Sequence, residues 1–189
     1  MEVEISDINR AKINPDINVV CLDKTTRNYK IDQPRAIEKK LKATERQTVE
    51  LIETEGGLRI VLNTGSYELL KNATEKYFSE LDDGRKCKIV QVNDQRGAIV
   101  ESQFKLSSGK TSLYTMNLYN TTSSCLVNGK KTHIFRDKDF PQIIENIEQT
   151  LILNNTTSSE INENIRQMII DSVSNENASN PTKNEKLQI

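Results

Sequence analysis

Residues 114–119 read YTMNLY, with Tyr114, Met116 and Leu118 alternating against Thr115, Asn117 and Tyr119. Side chains along an extended backbone point to opposite faces in turn, so this run predicts a strand with one face buried. A chain that must bury one face of a strand needs neighbouring strands and a covering layer, and the surrounding sequence supplies signals for both. Asn128-Gly129 comes soon after, and both residues tolerate the positive φ angles of a type I′ turn. SSCLV (123–127) and KKTHIF (130–135) are therefore expected to pair as adjacent strands through a two-residue turn.

Upstream, TVELIET (48–54) and LRIVLN (58–63) are β-rich runs joined at Glu55-Gly56-Gly57, a hairpin connection. A helix is expected from a cap at Ser66 to about Leu81, with Leu69, Leu70, Ala73, Tyr77 and Leu81 at helical spacing. CKIVQVN (87–93) then turns at Asp94–Gly97 into a strand presenting Ala98, Val100, Phe104 and Leu106 on one face. Asp139 reads as the cap of a second helix, with Pro141 in its first turn and a stripe of Phe140, Ile143, Ile144, Ile147 and Leu151. Thr157 with Glu160 forms a capping box for a third helix, striped by Ile161, Ile165, Met168, Ile169 and Val173.

The order ββα, meander, α predicts an α+β fold, an antiparallel sheet of about five to six strands with helices on one face. The other face is left to solvent or a ligand. INVVCLD (17–23) and RAIEKKLKATER (35–46) find no partner in the sequence, so residues 1–46 read as a partly ordered arm. The domain is expected over 47–153, a C-terminal helix over 154–173, and a polar, disordered tail over 174–189.

Composition narrows the function classes. No apolar run reaches the roughly 18 residues a membrane helix requires, and the acidic start MEVEISDINR has no apolar leader. The three cysteines, Cys21, Cys87 and Cys125, lack metal-ligand spacing, and there is one histidine, so neither a metal site nor a cofactor is expected. Widely spaced thiols fit a reducing compartment and an intracellular location, cytoplasm or nucleus. Charge is unevenly spread. Lys24–Arg46 holds eight basic residues against three acids, and Asp139 to the end holds three against eight, a polarity that steers a polyanion toward one region.

Catalytic patterns are weak. His133 has no nucleophile or acid placed beside it by the sequence. The paired acids Asp82-Asp83 and Asp137/Asp139 fall at helix ends, where aspartate caps. Ser108-Gly109-Lys110-Thr111 lacks the upstream glycine of a phosphate loop. The chain is therefore expected not to be an enzyme. Basic residues cluster in the meander instead, with Tyr119 and His133 among them. Stacking rings interleaved with cations on a sheet suit single-stranded nucleic acid. The candidate binding residues are Tyr119, Lys130, Lys131, His133, Arg136 and Lys105. Tyr114, Met116 and Leu118 read as core.

The span 114–144, through Asn117-Leu118-Tyr119, Thr121-Thr122, Leu126-Val127-Asn128-Gly129-Lys130 and Asp139-Phe140-Pro141, resembles a short accessory segment. That segment is found upstream of the endonuclease and reverse transcriptase in retroelement-type proteins of aquatic invertebrates. The resemblance covers about 30 residues and carries no catalytic signature. It implies a nucleic-acid context. The leading expectation is a non-enzymatic accessory domain that binds single-stranded DNA or RNA. The alternative is a protein-interaction or assembly module with no nucleic-acid binding.

Overall fold

The computed structural model describes residues 22–179. Strands are β1 (Leu22–Thr26), β2 (Glu50–Thr54), β3 (Gly57–Val61), β4 (Arg85–Asn93), β5 (Ile99–Ser108), β6 (Thr111–Tyr119) and β7 (Ser124–Asn128). Helices are α1 (Gln33–Thr44), α2 (Thr64–Ser79), the single turn α3 (Thr132–Ile134), α4 (Phe140–Leu153) and α5 (Ser158–Ser179). A wide π-helical turn, Phe135–Asp139, joins α3 to α4.

The fold is α+β. Its sheet has seven strands in the order β1-β4-β5-β6-β7-β3-β2, more than the five to six expected, and it is mixed. β1 runs parallel to β4 while the remaining neighbours are antiparallel. Residues 22–46 are thus part of the fold. β1 forms one edge of the sheet, and α1 is tied to α2 where Thr64 Oγ1 donates to the Lys40 carbonyl at 2.9 Å. The rest of the expected arm, including 17–21 of the first run, lies outside the described residues. At the other end α5 continues to Ser179 rather than stopping near 173, and residues 180–189 lie outside the described residues.

The alternation in β6 has the expected effect. Tyr114, Met116 and Leu118 are buried with Phe104 and Leu106 of β5, Cys125 and Val127 of β7, and Ile60 of β3. Tyr67, Leu70, Ala73 and Phe78 of α2 close over them, with Phe78 stacked on Phe104 at 5.6 Å between ring centroids. Asn63, not Ser66, caps α2, its Oδ1 accepting from the Ser66 amide at 2.8 Å. The capping box holds, since Thr157 and Glu160 each accept from the other's amide, at 3.2 and 2.8 Å. Within the expected stripes Ala98 lies outside β5 and is exposed, and Met168 is exposed on α5.

KKTHIF is not a strand. β7 already has β6 on one side and β3 on the other, so no free edge remains for it. The β6–β7 hairpin is instead closed by Asn120–Ser123, with Ser123 at φ 49°. Gly129 matters for a different reason: a Cβ there would fall 2.7 Å from the Tyr114 Cα. The chain turns away at that close approach, and the Lys131 amide donates to the Leu113 carbonyl at 3.0 Å. From Thr132 onward the backbone is helical. Pro141 has no N–H and its ring crowds the preceding turn, which accounts for the wide turn just before it. The Phe140 amide accordingly bonds back to the Phe135 carbonyl.

α5 is tied to α2 where the Ser66 and Ser158 hydroxyls lie 2.8 Å apart, and to both α1 and α2 through Asn162. Asn162 Oδ1 accepts from the Gly65 amide at 3.0 Å, and its Nδ2 donates to the Thr44 carbonyl at 2.9 Å, joining α1, α2 and α5. The helices meet so closely that a Cβ on Gly65 would sit 2.6 Å from the Asn162 backbone. No described helix is long and apolar enough to cross a membrane.

Candidate nucleic-acid interface

The residues that β5, β6, β7 and β3 turn away from the core form rows across the second face of the sheet. Lys105 pairs with Thr115, and Thr115 with Asn128. The next row is Gln103, Asn117, Leu126 and Arg59, and the one beyond is Glu101, Tyr119, Ser124 and Val61. The core-forming helical residues all meet the first face. On the second face Lys105 and Arg59 are exposed, whereas Val90 and Val92 of β4 are buried. The accessible part of this face therefore begins at Lys105 and extends toward β3. Within it Lys105, Asn128 and Arg59 are exposed, Asn117 and Ser124 are buried, and Leu126, Val61 and Tyr119 are half-buried, so the two cations stand out from a partly covered face with Tyr119 at its far end.

The six candidate residues are not one cluster. Lys105 stands on the second face itself. Lys130 and Lys131, both exposed, come just after β7 at the same end of the sheet as the Lys105 row. His133 and Arg136 lie on the helical turn beyond, where they join Lys130 around a groove of about 330 Å³ beside the β2–β3 turn. Arg136 is committed there to Glu53, at 3.0 Å. Tyr119 is four residues along β6 from Thr115, which at about 3.4 Å per residue puts it roughly 14 Å away. It lines a separate cavity with Tyr29, Arg35 and Lys39. Burial and the nearby Glu101 carboxylate raise its phenol pKa above the ordinary value.

Asp139 is the polar residue whose setting the sequence did not disclose. Read as a helix cap, it makes no capping bond and is fully buried. The wide turn carries its carboxylate inward, where it accepts four hydrogen bonds. Arg85 donates to both oxygens, at 2.9 and 2.7 Å, Tyr77 donates at 2.6 Å, and Tyr114 donates to Oδ2. Arg85 also donates to Asp83, at 2.6 Å, and Lys138 reaches Asp83 at 2.8 Å. For Arg85, burial opposes the charged form, but the bonds and attraction to Asp139 outweigh it and raise its pKa. A carboxylate with its acceptor sites filled by protein donors has no room for a substrate, so this cluster fastens β4, β6 and α2 to the turn before α4.

Burial, followed by the hydrogen bond to Asp139, pushes the Tyr77 phenol up to about 12. A group whose pKa rises on folding favours the folded state below its unfolded value and withdraws that support as the pH climbs. Stability is therefore expected to fall between pH about 10 and about 12. Tyrosinate absorbance and far-ultraviolet circular dichroism, followed together through an alkaline titration, should show buried-phenol ionisation coinciding with unfolding. Ionisation of these phenols with the fold intact would contradict the assignment.

Cys125 is buried and Cys87 half-buried; burial raises both thiols, Cys87 to about 12. These are unreactive packing residues at neutral pH. Among the described residues no group of three His, Cys, Asp or Glu side chains is placed to hold a metal ion. No protein-family model, curated protein or solved structure matches the chain.

Proposed function

We propose that the chain is a non-enzymatic module that holds single-stranded nucleic acid across the second face of its sheet, an accessory role of the kind its resemblance to retroelement-type proteins implies. The supporting observation is the pair of exposed cations Lys105 and Arg59 on the second face, with exposed Lys130 and Lys131 following β7 at the Lys105 end. Cations spaced over several strands suit the phosphates of an extended strand, to which they give affinity without reading sequence. Tyr119 supplies one ring at the opposite end. Arg136, already paired with Glu53, and His133, which shares with Lys130 the groove beside the β2–β3 turn, border this surface without lying on it.

Titration of fluorescent single-stranded DNA and RNA oligonucleotides at several salt concentrations tests the reading. Binding should weaken with salt, and Lys105→Ala with Lys130→Ala should reduce the log–log slope by about 0.7 per lost contact. Tyr119→Ala should cost about 1–3 kcal/mol with the slope unchanged if a base stacks there. Absence of binding at low salt, or a slope indifferent to the lysines, defeats the proposal and leaves the protein-interaction reading.

A further inference from the structure

The cavity that Tyr119 lines has a volume of about 290 Å³ and is closed on its other side by the β1–α1 loop and by α1. Ile31, Ala36 and the buried Val100 supply apolar lining, and Tyr29 adds a second ring, 49% exposed. Asp32, Arg35, Ala36 and Lys39 are spaced as neighbours on one helix face, and all four line the cavity. The loop that carries Tyr29 is pinned to the β4–β5 turn. The Arg27 amide donates to the Asn93 carbonyl at 2.8 Å, the Gln95 amide to the Tyr29 carbonyl at 2.9 Å, and the Ile31 amide to Asp94 Oδ2 at 3.0 Å. Asp94 is itself buried, and its other oxygen accepts from the Arg96 and Ala98 amides, each at 2.9 Å. This wall of the cavity is therefore fixed by the fold before a ligand arrives.

Charge selects the sign of the ligand. Two carboxylates line the cavity, Asp32 and Glu101, and protein donors already meet both. Asp32 accepts from the Arg35 amide at 3.2 Å, and Glu101 accepts from Gln103 Nε2 at 2.9 Å and faces Arg27 at 3.9 Å. Among the described residues the side chains of Arg35 and Lys39 have no ion-pair partner. They are like charges four residues apart on one helix, an arrangement that costs stability until an anion lies between them. The volume, about 290 Å³, is at the lower limit of ligand pockets and suits one ring system with its anionic group. We infer that this cavity takes a single nucleoside monophosphate unit, its base against Tyr29 and Tyr119 and its phosphate on Arg35 and Lys39. Aromatic rings stack on any base, and a guanidinium meets phosphate oxygens in pairs. A free nucleotide and the terminal nucleotide of a strand present this same chemistry. For a strand's end the inference rests on the reading of the second face given above, with which it shares Tyr119; for a free nucleotide it stands apart from that reading.

The test follows the backbone amide signals of the full chain by nuclear magnetic resonance, with adenosine 5′-monophosphate, adenosine, inorganic phosphate and phosphotyrosine as probes. The nucleotide should shift the signals of Tyr29, Arg35, Lys39 and Tyr119 and bind at least about tenfold more tightly than the other three. Tyr29→Ala, and Arg35→Ala with Lys39→Ala, at exposed positions that leave the core intact, should each weaken it about tenfold, while Lys105→Ala leaves it unchanged. A short oligonucleotide with and without a 5′-phosphate separates the two sources. Tighter binding of the phosphorylated form, abolished by the Arg35 and Lys39 changes, makes the ligand a strand's end; equal binding of the two forms beside tight mononucleotide binding makes it a free nucleotide. Adenosine, phosphate or phosphotyrosine binding as tightly as the nucleotide, or signals of the cavity unmoved by it, overturns the inference. Strand binding that persists without nucleotide binding overturns this inference alone, and nucleotide binding without strand binding overturns only the reading of the second face.

Discussion

Asp139→Ala will unfold the protein at substantially lower denaturant, with an expected loss of about 3–5 kcal/mol. The substitution removes the acceptor for two Arg85 nitrogens and the hydroxyls of Tyr77 and Tyr114. Arg85, itself largely buried, would keep Asp83 and the Tyr77 hydroxyl as partners but lose both bonds to Asp139. Most of the cost is that under-compensated charge, not the value of the pair as such. Adding Arg85→Met to the alanine variant should therefore recover part of the loss, because both ends of the ion pair are then gone. Equilibrium urea unfolding of the wild type, both single variants and the double measures the coupling. A double variant no more stable than Asp139→Ala would mean that the tyrosines and packing, not the charge, dominate this site.

Ile143→Ala should cost about 2–5 kcal/mol, since Ile143 is fully buried in the core where α4 meets α2 and the sheet. The same change at Ile147 should cost less. That side chain is half-buried and borders an open apolar trough, so truncation there opens no closed cavity. Thermal melts of the two variants give the order directly. Equal losses would show that the trough is closed in solution.

Local patterns made much of the architecture legible. The period of β6, the β2–β3 hairpin, the stripe of α2 and the Thr157–Glu160 box are each encoded within a short window of sequence. The features that stayed hidden depend on distant partners. β1 is too short and too polar to announce that it runs beside β4, because parallel neighbours share no turn. Asn128-Gly129 carries the residues of a tight hairpin, but β3, from much earlier in the chain, occupies the edge that such a hairpin would need. Asp139 precedes Phe140-Pro141 as a cap would, and nothing nearby marks Arg85, Tyr77 and Tyr114 as its partners. The candidate site was legible in part for the same reason. Lys105 and Tyr119 are correctly outward on their strands by parity, yet treating 130–135 as a strand placed Lys130 and His133 nearer to Tyr119 than the helical turn allows.

The strand order has a consequence for how the chain is made. Synthesis delivers β1, β2 and β3 first, but the sheet puts them at its margins, and β4–β7, which form its centre, come later. The β2–β3 hairpin must wait for β7, and β1 must wait for β4, before either has a lateral neighbour to join. On the ribosome the early strands therefore emerge without a template, and α2 emerges without the sheet it covers. The meander β4–β7, whose pairings are all between successive strands, is the first part able to assemble from local contacts alone. Completion of β7 is then the event that lets the waiting hairpin dock, and a nascent chain arrested before Ser124 should remain open to protease across β2 and β3.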